Sequence, residues 1–155
     1  MRLLIQRVSH ANVEVNGKQI SAIGPGALVF IGVTHGDTAA EAAWLANKLI
    51  HLRMFEDEEG KINRSLLDQQ KEVLVVSQFT LYADCTAGRR PSFTAAALPG
   101  IAEHLYETFV EDIRKMGVSV QTGKFGAEMK VSLLNDGPVT LMLERYTERN
   151  SKVGF

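Results

Sequence analysis

The chain has 155 residues, of which 45% are apolar and 23% charged, and this composition predicts one globular domain over residues 1–155 and excludes a disordered or low-complexity chain. The formal net charge of −1 neither requires nor excludes a nucleic-acid partner, because such binding depends on where lysines and arginines lie. A single cysteine, Cys85, excludes an internal disulfide. The N-terminal apolar run is too short for a signal peptide, and none approaches the roughly 20 residues that span a bilayer, so we expect a cytoplasmic protein.

The first part of the chain predicts strands. Residues 3–8 and 11–15 have strand character, and the second segment alternates apolar and polar side chains. Asn16-Gly17 then predicts a tight hairpin turn, because both residue types tolerate positive φ, with a second strand over residues 18–23. The unbroken apolar run of residues 26–33 is typical of a strand buried on both faces.

A helix follows, then a loop and a further strand. Thr38 and Glu41 fit a capping box at the helix start. The polar stretch 56–63, which contains Gly60, predicts an exposed turn, residues 73–82 predict a strand, and residues 86–91 predict a loop. The buried stripe of the helix is predicted at Trp44, Leu45, Leu49 and Leu52.

The last part predicts a second helix and three strands. The helix would cover residues 99–116, with Pro99 in its first turn and Gly117 ending it. Strands are expected over residues 118–122, 128–134 and 139–143. The fold class is therefore α+β, with two helices packed on a largely antiparallel sheet. The inner stripe of this helix is predicted at Ile101, Leu105, Phe109, Ile113 and Met116.

Motifs for cofactors and metals are missing from the sequence. The histidines show neither HxxxH nor HExxH spacing, and one cysteine cannot form a thiolate zinc cluster. Walker, GxGxxG and GxSxG motifs are also absent. The acidic run 56–59 has no EF-hand pattern and is interpreted as a solvated loop. We therefore expect neither a metal nor a cofactor. The histidines are His10, His35, His51 and His104.

Ser77, Gln78 and Thr80, with Phe79 between them, place polar side chains inside an otherwise apolar run. Unpaired polar groups at the end of a buried strand cost about 1–3 kcal/mol each, so these groups need partners. One interpretation is a strand end whose hydroxyls bond nearby backbone. The other is a polar pocket whose hydroxyl, amide and backbone N–H groups face a developing oxyanion. The pattern alone leaves both open.

Two loop segments could contact ligands. Residues 134–140 contain Asn135, Asp136 and Gly137-Pro138 and predict a turn, in which a bare glycine backbone could approach a ligand closely. Only about 5–6% of X-Pro bonds are cis, so a trans bond is the default. The paired Arg89 and Arg90 could bind phosphates, or they could be solvated. Side chains that could extend a basic track are Lys124, Lys130, Arg145, Arg149 and Lys152.

Together these segments resemble the D-aminoacyl-tRNA deacylase family over nearly the whole chain. The resemblance is carried by LIQRV with Arg7, by residues 53–57 and 60–66, by VVSQFTLYAD and GRRPSF, and by NDGPVT. It implies a barrel-like core of antiparallel and mixed sheet with two packed helices. It also implies an intertwined homodimer with its active site at the subunit interface, an aminoacyl-tRNA substrate and no cofactor.

The resemblance also assigns roles to residues. Ser77, Gln78, Phe79 and Thr80 would form the pocket for the 3′-terminal aminoacyl-adenosine. Gly137-Pro138 would be a Gly-cis-Pro element that enters the partner's pocket, faces the α-amino group and leaves no space for an L side chain. Arg7 would steady that element. Asn135, two residues before Gly137, is a candidate supporting residue, and Arg89 and Arg90 are candidate tRNA contacts from their residue type alone.

Two chemical mechanisms remain open for such a hydrolase. Thr80 could attack the ester as a nucleophile, although the motif contains no side chain to activate it. Alternatively, the 2′-hydroxyl of the tRNA assists a water while the protein supplies positioning and backbone N–H groups, and the resemblance favours this account. The competing functions are a non-catalytic RNA-binding module, a small-molecule esterase with Thr80 as nucleophile, and a structural interaction protein.

Overall fold

The computed structural model describes residues 1–147. Within this range, no helix is long and apolar enough to cross a membrane. In chain order the elements are β1 (Arg2–Val15), β2 (Lys18–Ile23), β3 (Gly26–Gly32), α1 (Ala39–His51), β4 (Phe55–Glu56), β5 (Ile62–Arg64), β6 (Glu72–Ser77), a 3₁₀ helix (Phe79–Tyr82, called the 79–82 turn below), α2 (Pro99–Lys115), β7 (Val120–Thr122) and β8 (Lys130–Glu144).

The main sheet is organised around the long strand β1. One edge of β1 pairs antiparallel with β8 along most of its length. The other edge pairs first with β3 and then with β2, both antiparallel. β6 and β7 extend the sheet in parallel beyond β3. Because β2 also contacts β6 and β7, the sheet curls into a nearly closed barrel, which confirms the predicted mixed, barrel-like fold.

Apolar side chains fill both faces of the curled sheet. Inside the barrel, Leu28 of β3 packs with Leu74 and Val76 of β6. The opposite face carries Val29 and Val75 and packs against α1 and α2. β3 is therefore buried on both faces, as its unbroken apolar run predicted.

Local signals at turns and helix ends are confirmed. Asn16 and Gly17 have φ of 51° and 76° in the turn between β1 and β2. The Thr38 side chain accepts from the backbone N–H of the first turn of α1, and Glu41 bonds back to the Thr38 N–H at 2.8 Å. Pro99 lies in the first turn of α2, and Gly117 follows its end with φ of 89°. Each of these features depends only on neighbouring residues.

Several expectations from longer-range patterns are wrong. Trp44 and Ile101 do not belong to the buried stripes, since they are 40% and 53% exposed. The strand predicted over residues 73–82 ends at Ser77, and a 3₁₀ helix follows. Residues 3–8 and 11–15 form one strand, because β8 pairs along both halves. Residues 128–134 and 139–143 likewise lie in one strand, β8.

Candidate active site

A large cleft lies where β3 and β6 end. It encloses about 570 Å³ and is bounded by the segment 96–99, the start of α2 and residues 125–131. Ser77, Gln78 and Phe79 line it together with Phe93 and Tyr106. The lining contains no Asp, Glu, His, Lys, Arg or Cys side chain. The cleft is therefore mainly apolar with a few polar groups, a composition typical of small-molecule pockets.

Gly32 and Ile31 explain why the chain turns after β6. The Gln78 N–H donates to the Ile31 carbonyl at 2.8 Å, which continues the ladder by one bond, and Leu81 N–H then donates to Gln78 O at 3.2 Å. A Cβ on Gly32 would lie 3.0 Å from Leu81 Cβ and 3.2 Å from Gln78 O. Only a residue without a side chain lets the 79–82 turn pack this closely on β3.

The residues Ser77 to Thr80 divide between the cleft and its rim. Thr80 is exposed and does not line the cleft, but its hydroxyl accepts a hydrogen bond from the Gln78 side-chain amide. Phe79 packs edge-on against Phe93, with ring centroids 5.2 Å apart. The Phe79 and Thr80 N–H groups donate to no other residue within 1–147, because they begin the turn. These N–H groups remain available to a ligand.

Tyr106 is a cleft residue that the sequence did not single out. Its hydroxyl donates to the Val75 carbonyl at 3.0 Å, two residues before Ser77. Burial raises the pKa of Tyr106 to about 12, so the side chain remains a neutral donor at physiological pH. The spacing of α2 places Tyr106 beside its predicted inner stripe, but no local pattern distinguishes a cleft tyrosine from a core tyrosine.

The rim segment 93–97 is attached to the end of β3. Ala97 N–H donates to Val33 O at 2.9 Å, and the Thr34 hydroxyl donates to Ala95 O at 2.6 Å. The Thr34 N–H in turn donates to Asp37 Oδ2 at 2.8 Å. Asp37 is buried and accepts from the α-amino group of Met1 at 2.8 Å. This chain of contacts fixes the rim to the sheet.

Gly137-Pro138 projects from β8 as a bulge. The pairs Gln6↔Thr140 and Val8↔Asn135 are two residues apart on β1 but five residues apart on β8. The extra residues of β8 therefore bulge out of the ladder. The Gly137-Pro138 bond is cis, as the resemblance implies and contrary to the general preference for trans. The Asn135 amide closes the base of the bulge by donating to Arg7 O at 2.9 Å and Val139 O at 3.0 Å.

Arg7 is hydrogen-bonded to the backbone of the bulge. Its side chain is buried, Nε donates to Asp136 O at 3.0 Å, and Nη1 donates to Met54 O at 2.9 Å. A Cβ on Gly137 would lie 2.9 Å from Arg7 Nη2, and Gly137 has φ of 129°, a conformation that L side chains rarely adopt. The Arg7 side chain therefore packs so closely on Gly137 that a side chain at position 137 would displace one of them.

The bulge does not line the cleft of its own chain. Arg7 pairs with Ala27 on β3, whereas the cleft begins at Ile31, opposite Leu3. Four residues of strand correspond to about 13 Å. The structure thus brings Ser77, Gln78 and Phe79 together in one place, and Arg7, Asn135, Gly137 and Pro138 in another.

The basic residues are dispersed. Arg89 and Arg90 are exposed in a loop closed by paired backbone bonds between Asp84 and Ser92. The Arg145 guanidinium lies over the Trp44 ring of α1, 5.0 Å from its centroid. Arg149 and Lys152 lie outside the described residues. Within residues 1–147, no group of three His, Cys, Asp or Glu side chains could hold a metal ion.

Comparison with known proteins decides the family. A sequence profile described as D-Tyr-tRNA(Tyr) deacylase matches residues 4–144. The chain belongs to this family. A D-aminoacyl-tRNA deacylase of Thermomicrobium roseum is 60% identical over 144 residues, which cover 93% of this chain and 94% of that protein. Another from Geobacillus sp. (strain WCH70) is 52% identical, with 98% and 100% covered.

Two solved structures have a similar fold. A c-Myc DNA unwinding element binding protein superposes with a TM-score of 0.90 at 44% identity, covering 95% of this chain and 100% of its own. A probable eukaryotic D-amino acid tRNA deacylase has a TM-score of 0.77 at 20% identity, with 92% and 97% covered. The second likeness shows the fold alone.

Proposed function

We propose that this protein is a D-aminoacyl-tRNA deacylase that hydrolyses the ester between tRNA and a D-amino acid. The observation that carries the proposal is family membership over residues 4–144 together with a cleft that the family segment Ser77–Phe79 lines. An aminoacyl-tRNA substrate also accounts for the expected cytoplasmic location and for the expected absence of a cofactor.

The cleft suits a 3′-terminal aminoacyl-adenosine. Its volume of about 570 Å³ lies within the range of sites for nucleoside-sized ligands. Phe79 and Phe93 provide aromatic surface on which a base can stack. The 84–92 loop, with Arg89 and Arg90 exposed, leads directly into Phe93 and is therefore positioned to contact tRNA phosphates near the cleft.

Ester hydrolysis at this site would proceed without a protein nucleophile. Within residues 1–147, the Thr80 hydroxyl is hydrogen-bonded only to the side-chain amide of Gln78. Because an amide is not a base, no protein group activates this hydroxyl. A water assisted by the 2′-hydroxyl of the tRNA would attack the carbonyl carbon. The Phe79 and Thr80 N–H groups would stabilise the oxyanion, and the 3′-oxygen would leave with a proton.

Chirality would be selected by the Gly137-Pro138 bulge of a second subunit. The bulge presents backbone and lies outside the cleft of its own chain. Placed in the partner's cleft, its carbonyls would face the α-amino group of the substrate and exclude an L side chain. Arg7 and Asn135, which bond to the bulge from both sides, would keep it in position.

Features of β8 support a dimer. Within residues 1–147, β8 pairs only with β1, so its outer edge is open. Leu134 and Met142 on this strand are 53% and 51% exposed. A long open edge with apolar side chains is unfavourable in an isolated subunit, and a symmetric partner would cover it.

Subunit complementation tests the shared site. Gln78→Ala impairs the cleft, and Gly137→Ala displaces the carbonyls that would hold the α-amino group, so each homodimer should hydrolyse D-tyrosyl-tRNA very slowly. Co-refolding the two variants in equal amounts should restore about a quarter of wild-type activity, because half of the dimers are mixed and each has one intact site. No recovery would place the complete site in one chain.

Deacylation assays separate the competing functions. The proposed enzyme removes the D-amino acid from D-tyrosyl-tRNA, leaves p-nitrophenyl acetate intact and acquires no acyl adduct by mass spectrometry. An RNA-binding module would leave the tRNA ester intact, and a Thr80 esterase would cleave the small ester and become acylated. Either result would overturn the proposal.

A further inference from the structure

Arg2 joins three elements next to the cleft. Its Nη1 donates to the Leu81 carbonyl at 2.8 Å, at the far end of the 79–82 turn. Its Nε lies 2.6 Å from Glu144 Oε1 at the end of β8, and its guanidinium carbon lies 4.4 Å from the centroid of the Tyr82 ring. The Arg2 side chain is 30% exposed, so solvent only partly screens these contacts.

The location of Arg2 follows from the sheet register. Arg2 lies between Gly32 on β3 and Glu144 on β8, and it pairs with both. The 79–82 turn packs on Gly32, so a side chain leaving β1 at position 2 reaches the turn directly. The contact between Arg2 and Leu81 therefore follows from the register of β1 with β3.

The 79–82 turn needs a second attachment. At its start, Gln78 N–H is bonded to Ile31 O, and close packing on Gly32 restricts its approach to the sheet. At its end, the Leu81 carbonyl accepts from Arg2, while the Tyr82 ring is buried beneath the guanidinium. Because only one turn of helix separates these attachments, both determine where the Phe79 and Thr80 N–H groups point.

We propose that Arg2 is a positioning residue for ester hydrolysis, which fixes the 79–82 turn through Leu81 and Tyr82 so that the Phe79 and Thr80 N–H groups face the substrate carbonyl. Arg2 touches no part of the cleft and acts only through the turn. This inference rests on the proposed function. The role of Arg2 is separate from that of Arg7, which supports the Gly137-Pro138 bulge.

Glu144 helps to orient the guanidinium by charge. Its Oε1 forms an ion pair with Arg2 Nε at 2.6 Å, without the geometry of a hydrogen bond, and the carboxylate also accepts from the Tyr146 hydroxyl at 2.5 Å. The remaining Arg2 N–H groups can then point to Leu81 while the guanidinium plane lies over Tyr82. A planar fork makes these contacts together, whereas the single ammonium of lysine cannot.

The test compares Arg2→Met and Arg2→Lys with Arg114→Met. Arg114 is a matched control, because it is a partly exposed arginine paired with Glu111 at 3.1 Å, on the last turn of α2. For Arg2→Met we expect the single-turnover rate on D-tyrosyl-tRNA to fall about tenfold, as for the loss of a charge-assisted hydrogen bond, with KM changed less than twofold. Arg2→Lys should recover part of the rate, and Arg114→Met should match the wild type.

A second readout is independent of catalysis. Hydrogen exchange of the Leu81 and Ala83 amides, which donate within this turn, should be faster in Arg2→Met and unchanged in Arg114→Met. Wild-type rate and exchange in Arg2→Met would overturn the positioning role, as would a loss confined to KM. If the wild-type protein itself leaves D-tyrosyl-tRNA intact, the proposed function fails instead, and faster exchange in Arg2→Met alone would still show the anchoring contact.

Discussion

Replacing Gly32 with alanine tests whether the close packing of the 79–82 turn on β3 sets the geometry of the cleft. The new Cβ would lie 3.0 Å from Leu81 Cβ, 3.2 Å from Gln78 O and 3.2 Å from Tyr82 Cδ2. None of these atoms is the free end of a flexible side chain. The turn must therefore move away from the sheet by a few tenths of an ångström.

The size of the effect follows from this displacement. Overpacking of this kind costs about 1–3 kcal/mol of unfolding free energy. For a domain of this size each kcal/mol lowers Tm by roughly 2–4 °C, so the fall should be several degrees. A misplacement of about 1 Å costs about a hundredfold in rate, and we expect roughly tenfold for this smaller shift.

The assay measures single-turnover deacylation of D-tyrosyl-tRNA beside thermal unfolding. Gly100→Ala is the control, because a Cβ there meets nothing within 4 Å and alanine favours the helix in which it lies. Gly32→Ala with wild-type rate and Tm would refute the reasoning. An equal loss of rate in Gly100→Ala would show that the effect is not specific to the turn.

Three further predictions concern catalysis, selection and binding. Thr80→Ala should retain substantial deacylation, since Thr80 is exposed and has no base beside it; a loss of several orders of magnitude in a folded variant would contradict 2′-hydroxyl assistance. Glycyl-tRNA should be hydrolysed, because glycine has no side chain to exclude, and a glycyl ester as inert as the L-tyrosyl ester would count against steric selection. The double variant Arg89→Ala/Arg90→Ala should bind tRNA more weakly. A plot of the logarithm of its association constant against the logarithm of salt concentration should be less steep by about 0.7–0.9 for each lost phosphate contact. An unchanged slope would remove these arginines from the tRNA surface, with Arg114→Met again as the control.

Features that depend on neighbouring residues could be predicted from the sequence. The Asn16-Gly17 turn and the Thr38–Glu41 capping box each need only a few adjacent residues, and the structure has both. The α+β class and the curled mixed sheet also followed, from strand patterns and from the resemblance. Trp44 was misplaced because helical spacing does not show which flank of an apolar stripe faces the core.

The cleft depends on contacts between distant residues. Residues 73–82 were predicted as one strand, yet the chain turns after Ser77 because Gly32, from a different strand, leaves space for the turn. Tyr106 comes to the cleft through the packing of α2, and nothing in its local sequence shows this. The polar interruption at Ser77–Thr80 did indicate an unusual site. The functional interpretation of Gly137-Pro138, in contrast, came from the family resemblance rather than from the residues themselves.

The most direct test of the account is the ratio of D-tyrosyl-tRNA to L-tyrosyl-tRNA hydrolysis, measured for the wild type, Gly137→Ala and Gly60→Ala. Gly60 is the control because it also has positive φ, at 76°, but a Cβ there meets nothing within 4 Å. For the wild type we expect rapid loss of the D-ester with the L-ester spared, and an unchanged ratio in Gly60→Ala. In Gly137→Ala the displaced bulge neither holds the α-amino group of the D-ester nor excludes an L side chain, so the D-ester rate should fall and the residual ratio should be at least tenfold lower. Equal hydrolysis of both esters by the wild type, or an unaltered ratio in Gly137→Ala, would contradict selection by the Gly137-Pro138 bulge.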